Sequence, residues 1–227
     1  LCRRLRSACC APSRPRSPMG VHPGVGQGCA SVKGKDIEQV HLAMGLRLFG
    51  RNDERRYALK LLDVILGENM SSRLFQIIRE KHGLAYSIQS SFHLFADTGA
   101  LVITAGLDRA RIRRALELIV REVARLRERR VGDRELQRAR EYTVGQLRLG
   151  LESTTNQMIW AGENYLSYGR FITPEETIRR LSAVTADDIH KLANEIFRLR
   201  TLSVAMLTPE KSGVGEDEVT KYLRVLR

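Results

Sequence analysis

Hydrophobic positions recur with two different periods along the chain, and the places where one gives way to the other mark out its elements. Residues 37–46 alternate, with Val40, Leu42, Met44 and Leu46 on one face, which predicts a half-buried strand. Tyr57, Leu61, Val64 and Ile65 then fall at helical spacing within 54–67, and Gly67 is placed to close that helix. A short helix follows from about Ser71 to Lys81, with Leu74, Ile77 and Ile78 inward, ended by Gly83. Residues 84–95 alternate again. Tyr86, Ile88, Phe92 and Leu94 share one face, and Ser87, Gln89, Ser91 and His93 the other. A turn at 96–99 leads into a strand at 100–107, so the last two strands read as an antiparallel hairpin.

From Asp108 to Arg198 the pattern is helical throughout. Ile112, Leu116, Ile119, Val123 and Leu126 trace one long stripe, interrupted by Gly132 and Asp133, and further helices are expected at 134–150 and 154–168. Thr173 before Pro174 and Glu176, and Thr185 before Asp188, are helix starts with side-chain caps. Leu202, Val204 and Met206 mark a fourth strand. Clean alternation with one polar face predicts an α+β fold, an antiparallel sheet with helices packed on one face.

Composition changes this picture mainly at the ends. With 43% hydrophobic and 28% charged residues the chain is not a disordered polymer. No stretch approaches the roughly 20 apolar residues of a membrane span. The net charge of +12 invites a nucleic-acid reading. However, residues 1–35 hold seven Lys or Arg and no acid, and all four cysteines lie at or before Cys29. Basic residues elsewhere are interleaved with acids such as Glu117 and Glu122, as on a solvated helix face, and no nucleic-acid partner is expected. Pro12, Pro15, Pro18 and Pro23 break any regular element. Residues 1–35 are therefore expected to be a disordered basic leader or an artefactual segment, 36–209 the folded domain, and 210–227 a polar, loose tail. The compartment is not legible: cytoplasmic, organellar and periplasmic settings all suit such a chain.

Candidate chemistry is sparse. The histidines His22, His41, His82, His93 and His190 form neither H-E-x-x-H nor H-x-x-E-H. There is no G-x-S-x-G elbow, no P-loop and no G-x-G-x-x-G, so no metal or cofactor site is expected here. What stands out is the segment 66–92, where Arg79 closes a helix and Tyr86 opens a strand seven residues later. A guanidinium and a phenol at one corner make a donor pair suited to a peptide carbonyl or a developing oxyanion. The structural alternative is equally plain: Arg79 satisfies the helix dipole, and Tyr86 belongs to its strand's apolar face.

The residues DIEQVHLAMGL (36–46), LGENMSSRLFQIIREKHGLAYSI (66–88), DTGALVITAGLD (97–108), REYTVGQLRLGLES (140–153) and WAGENYLSYGR (160–170) carry a resemblance. The chain resembles the C-terminal domain of the pitrilysin, insulinase and mitochondrial processing peptidase family of zinc endopeptidases. That resemblance implies the metallohydrolase-like half of a two-half enzyme that encloses a chamber. Zinc and its H-x-x-E-H motif would sit on the other half, on the same gene or on a separate subunit in a hetero- or homodimer. Arg79 and Tyr86 match the family's substrate-holding pair in type and spacing. The family domain normally begins with another helix and strand, so the chain reads as N-terminally truncated, with an open sheet edge that predicts association. A non-catalytic structural or assembly subunit of the same family is the alternative.

Overall fold

The computed structural model describes residues 29–210 and 214–226. Five strands make one sheet: β1 (Ala30–Lys35), β2 (Val40–Leu48), β3 (Ala85–Leu94), β4 (Gly99–Leu107) and β5 (Leu202–Pro209), in the order β1-β5-β2-β4-β3. β2 runs antiparallel to both β4 and β5, and β3 and β4 form the expected hairpin. The helices are α1 (Arg56–Asp63), α2 (Ile112–Glu128), α3 (Asp133–Gly150), α4 (Thr154–Tyr168), α5 (Pro174–Ala183), α6 (Ala186–Ile196) and α7 (Glu216–Leu223). Two π-helical segments, Val64–Glu68 and Phe75–Lys81, stand between α1 and β3.

The helices cover one face of the sheet. Leu42, Met44, Leu46, Ile103 and Val204 are buried there beneath Leu59 and Leu62 of α1, Leu116, Ile119 and Val123 of α2, and Ile189 and Leu192 of α6. Their spacing is what sends them inward: period two in the strands and i, i+3, i+4, i+7 in the helices. The helix starts form as their sequences dictate. The Thr173 hydroxyl accepts from the Glu176 N–H at 3.1 Å, and Thr185 and Asp188 form a complete capping box. At Gly67 the helical layer touches the sheet directly, since a Cβ there would lie 2.6 Å from the backbone nitrogen of Ser90.

Two features differ from the sequence reading. Residues 30–35, set apart with the basic leader, form β1, which pairs in parallel with β5 and makes the sheet mixed at that edge. The parallel ladder supplies backbone bonds that a short polar strand cannot advertise in side chains. Residues 1–28 lie outside the described residues. Residues 214–226, read as a loose tail, are anchored: Val219, Leu223 and Leu226 are buried, α7 packs on α2 and β1, and Glu216 accepts the Val32 N–H at 3.1 Å. Helix α4 forms where expected, at Thr154–Tyr168, and is inside out. Met158, Ile159, Tyr165 and Leu166 face solvent, Leu166 at 88% exposure. Trp160, Asn164 and Ser167 turn toward the body, where Arg51 donates to the Ser167 hydroxyl at 2.6 Å.

Candidate functional site

The corner between the second π-helical segment and β3 is built from local hydrogen bonds. Gly83, at φ +58°, takes the left-handed conformation that ends the helix. Its N–H donates to the Arg79 carbonyl at 3.0 Å, and the Leu84 N–H donates to the Ile78 carbonyl at 2.9 Å. Ile78 and Leu84 are both buried, so the turn is pinned from beneath. The Asp108 N–H donates to the Leu84 carbonyl at 3.3 Å, and Arg111 donates to that of Gly83 at 3.4 Å. At the other end of the segment, Arg73 holds Glu135 of α3 in a two-pronged pair at 2.8 and 2.7 Å. Asn69 Oδ1 accepts the Ser71 N–H, and the Ser72 hydroxyl donates to the Asn69 carbonyl. This is a corner with little freedom to move.

Arg79 and Tyr86 lie on its two sides, and both are exposed. The alternation of β3 would send Tyr86 inward with Ile88; the structure does not. Ala85 pairs with Leu107 and Ser87 with Gly106, so Tyr86 is the extra residue of a β-bulge and its side chain is 61% exposed. The structural alternative for this tyrosine, a place on the apolar face, is thereby removed. The inward face of β3 is instead Ile88 and Ser90, with Phe92 and Leu94 half-buried. The Arg79 guanidinium stacks on the Phe75 ring at 5.0 Å from its centroid. Among the described residues neither side chain makes a hydrogen bond, with the other or with any third group. Their donors are available.

Ser87, next to Tyr86, begins a row that crosses the uncovered face of the sheet. Register pairs Ser87 with Gly106, Gly106 with His41, His41 with Leu207, and Leu207 with Lys33. A second row runs Gln89, Thr104, Ala43, Ala205, Ser31. Together they floor a shallow depression of about 530 Å³. No helix lies over it among the described residues, and apart from Leu207, 38% exposed, the side chains of the two rows are small or polar. Periodicity put His41, Ser87 and Gln89 on that face. It left unnoticed that the middle of this face is depleted in bulk, although Ala43 and Gly45 of β2, Ala100, Thr104 and Gly106 of β4, and Ser203 and Ala205 of β5 are the signal that shows it.

On the covered side one acid is buried. Asp63, 2% exposed, accepts from the Ser90 hydroxyl at 2.5 Å. Burial pushes its carboxyl up to about 6, and the Ser90 hydrogen bond only partly opposes this. Lys60 is held by Glu68 at 2.6 Å. Among the described residues no group of three or more His, Cys, Asp or Glu is placed to hold a metal ion. Nor is any described helix long and apolar enough to cross a membrane. The donor set of the described residues does not fit zinc, and no chemical step is assigned to zinc on them.

Residues 12–142 match the family described as the peptidase M16 inactive domain. An uncharacterized zinc protease of Mycobacterium tuberculosis is 34% identical over 203 residues, which are 88% of this chain and 46% of that protein. The uncharacterized zinc protease YmxG of Bacillus subtilis is 36% identical over 175 residues, 77% of this chain and 42% of the relative. The chain thus spans less than half the length of these relatives. Among solved structures, a peptidase M16 inactive domain from Pseudomonas fluorescens aligns with a TM-score of 0.71 at 19% identity, over 81% of this chain and 44% of that one.

Proposed function

The chain belongs to the family of peptidase M16 inactive domains, and on that premise we propose that it is the substrate-binding half of a zinc metalloendopeptidase that hydrolyses peptides or unfolded segments. Activity requires a separate half carrying H-x-x-E-H, on the same polypeptide or on a partner subunit in a hetero- or homodimer. The observation that carries this reading is the exposed, unpaired Arg79 and Tyr86 on a hydrogen-bonded corner at the end of an uncovered sheet face.

The chemistry of the pair follows from its donors. The Arg79 guanidinium and the Tyr86 hydroxyl donate to carbonyl oxygens of a bound peptide. As the scissile carbonyl becomes tetrahedral its oxygen gains negative charge, and donors aimed at that oxygen lower the barrier. A fixed corner makes this effective, because donors that are already placed need no reorganisation when charge develops. The relatives are named zinc proteases, and in this proposal the zinc belongs to the complementary half.

The test is turnover of a peptide by the reconstituted pair. Arg79→Ala or Tyr86→Phe should lower kcat on the order of 100-fold, with zinc content and the melting temperature of the chain unchanged. Unaltered turnover would remove both residues from the reaction. A second reading, a structural or assembly subunit of the same family, is favoured by the exposed apolar stripe of α4. In that case Leu166→Asp disperses the assembly in sedimentation while Arg79→Ala has no effect on its function.

A further inference from the structure

None of the five strands contains an aspartate or a glutamate. Their ionisable basic residues are Lys33 and Lys35 of β1, His41 and Arg47 of β2, and His93 of β3. All five are exposed and fall, by alternation, on the face the helices leave open. The covered face has a sufficient reason to lack charge, since burial of an unpaired carboxylate is costly. The open face has no such reason. Solvated strands accept Glu and Asp at modest cost, so cation without anion there is a property of the surface rather than of folding.

Resting on the reading of the chain as a substrate-binding half, we propose that this face selects peptides with acidic side chains on the stretch that leads away from the bond held at Arg79 and Tyr86. The register sets the distances. Strands lie about 4.8 Å apart, so His41 is about 10 Å from Ser87 along its row and Lys33 about 19 Å. An extended peptide advances about 3.3 Å per residue. A peptide anchored at Tyr86 and lying along the row meets His41 about three residues on and Lys33 about six. Beside Ser87 the row is floored by Gly106, which carries no side chain, and Leu207, 38% exposed, stands between His41 and Lys33.

The acids near this surface sit at its rim. Asp36 and Glu38 are in the β1–β2 connection, Glu80 is on the π-helix beside Arg79, and Glu210 follows β5. Asp108 is engaged by the Ala110 N–H and by Arg111. Arg109 and Lys81 lie on the same rim.

The experiment uses the full chain and three fluorescein-labelled peptides of one length. They are identical except for six positions occupied by Glu, Gln or Lys, and fluorescence anisotropy measures their affinity. At low ionic strength the Glu peptide should bind about five-fold more tightly than the Gln peptide, and the Lys peptide more weakly than either. The differences should collapse in about 0.5 M salt, because the charges are exposed. The double variant Lys33→Glu, Lys35→Glu should invert the order. Replacing Arg3, Arg4, Arg6, Arg14 and Arg16 with Ser should leave the order intact. Arg79→Ala should weaken all three peptides alike. Equal affinity for the three peptides overturns this inference alone, as does a preference that follows the five arginines instead of the two lysines. If no peptide binds at all, the substrate-binding reading falls and takes this inference with it.

Discussion

The two faces of the sheet are carried by the same backbones and differ in almost everything else. On the covered face β4 presents Leu101, Ile103 and Leu107, each wholly buried. On the other it presents Ala100, Val102, Thr104 and Gly106. β5 repeats this with Leu202, Val204 and Met206 against Ser203, Ala205 and Leu207. The covered face is dictated by packing, since each side chain must fill a space left by α1, α2 or α6. The open face is under no such demand, and its acid-free composition, with small residues at many positions, needs another cause. Helix α4 carries the same lesson in one element: its polar and aromatic side touches the body while its apolar side meets solvent. Where residue type and exposure disagree in this way, the position is a better pointer to function than any buried leucine.

The contrast can be broken at the covered face first. Ile103→Ala should destabilise the chain by about 3 kcal/mol, within the range for truncating a wholly buried aliphatic residue, as measured by urea denaturation. Next comes Asp63. Its folded-state carboxyl titrates near 6, above the ordinary value of 3.8, so the fold favours the neutral acid. Below about pH 4 both folded and unfolded chains keep the proton. Between about 4 and 6 the unfolded chain loses it first, and stability falls by about 3 kcal/mol before levelling off. Asp63→Asn should flatten that slope, and at pH 7 should be no less stable than the native chain. An unchanged pH profile would mean that Asp63 is not the group responsible. Gly67→Ala follows, at about 1–3 kcal/mol, because its Cβ would press against the Ser90 backbone, which cannot rotate away.

How much of this was legible depends on which force set each element. β2, β4 and β5 and the helices α2, α3 and α6 are stabilised by burial of periodic apolar residues, and that period is written in the chain. The caps at Thr173 and Thr185 are equally local. β1 was hidden because its pairing with β5 depends on backbone hydrogen bonds across about 170 residues, and ASVKGK shows no apolar stripe. α7 was readable in principle from Val219, Tyr222, Leu223 and Leu226, but its acidic first turn and the charge around it resembled a solvated tail. The bulge at Tyr86 has no residue signature at all. Only the register with β4 reveals it, and with it the exposure of the tyrosine. The pairing of Arg79 with Tyr86 was visible from spacing. That the corner between them is tied down at Gly83, Leu84 and Arg111 was not, since those bonds reach to residues 108 and 111.

The smallest expected effect sharpens the comparison most. Val102 and Ile103 are neighbours on the central strand β4, both β-branched, pointing to opposite faces. Replacing either with Thr keeps the branch and the strand preference while exchanging a methyl group for a hydroxyl. At Ile103 the hydroxyl is taken from water without a designated partner and a methylene is lost as well, so about 2 kcal/mol or more of stability should go. At Val102 the side chain is half-exposed, its hydroxyl can bind water, and the change should stay within about 0.5 kcal/mol. Chemical denaturation of the two variants side by side decides the matter. A cost at Val102 that approaches the cost at Ile103 would show that the open face is dry in solution, covered by a second chain or by another part of this one. A neutral Val102→Thr leaves the face wet and reachable, as a surface that receives a passing peptide must be.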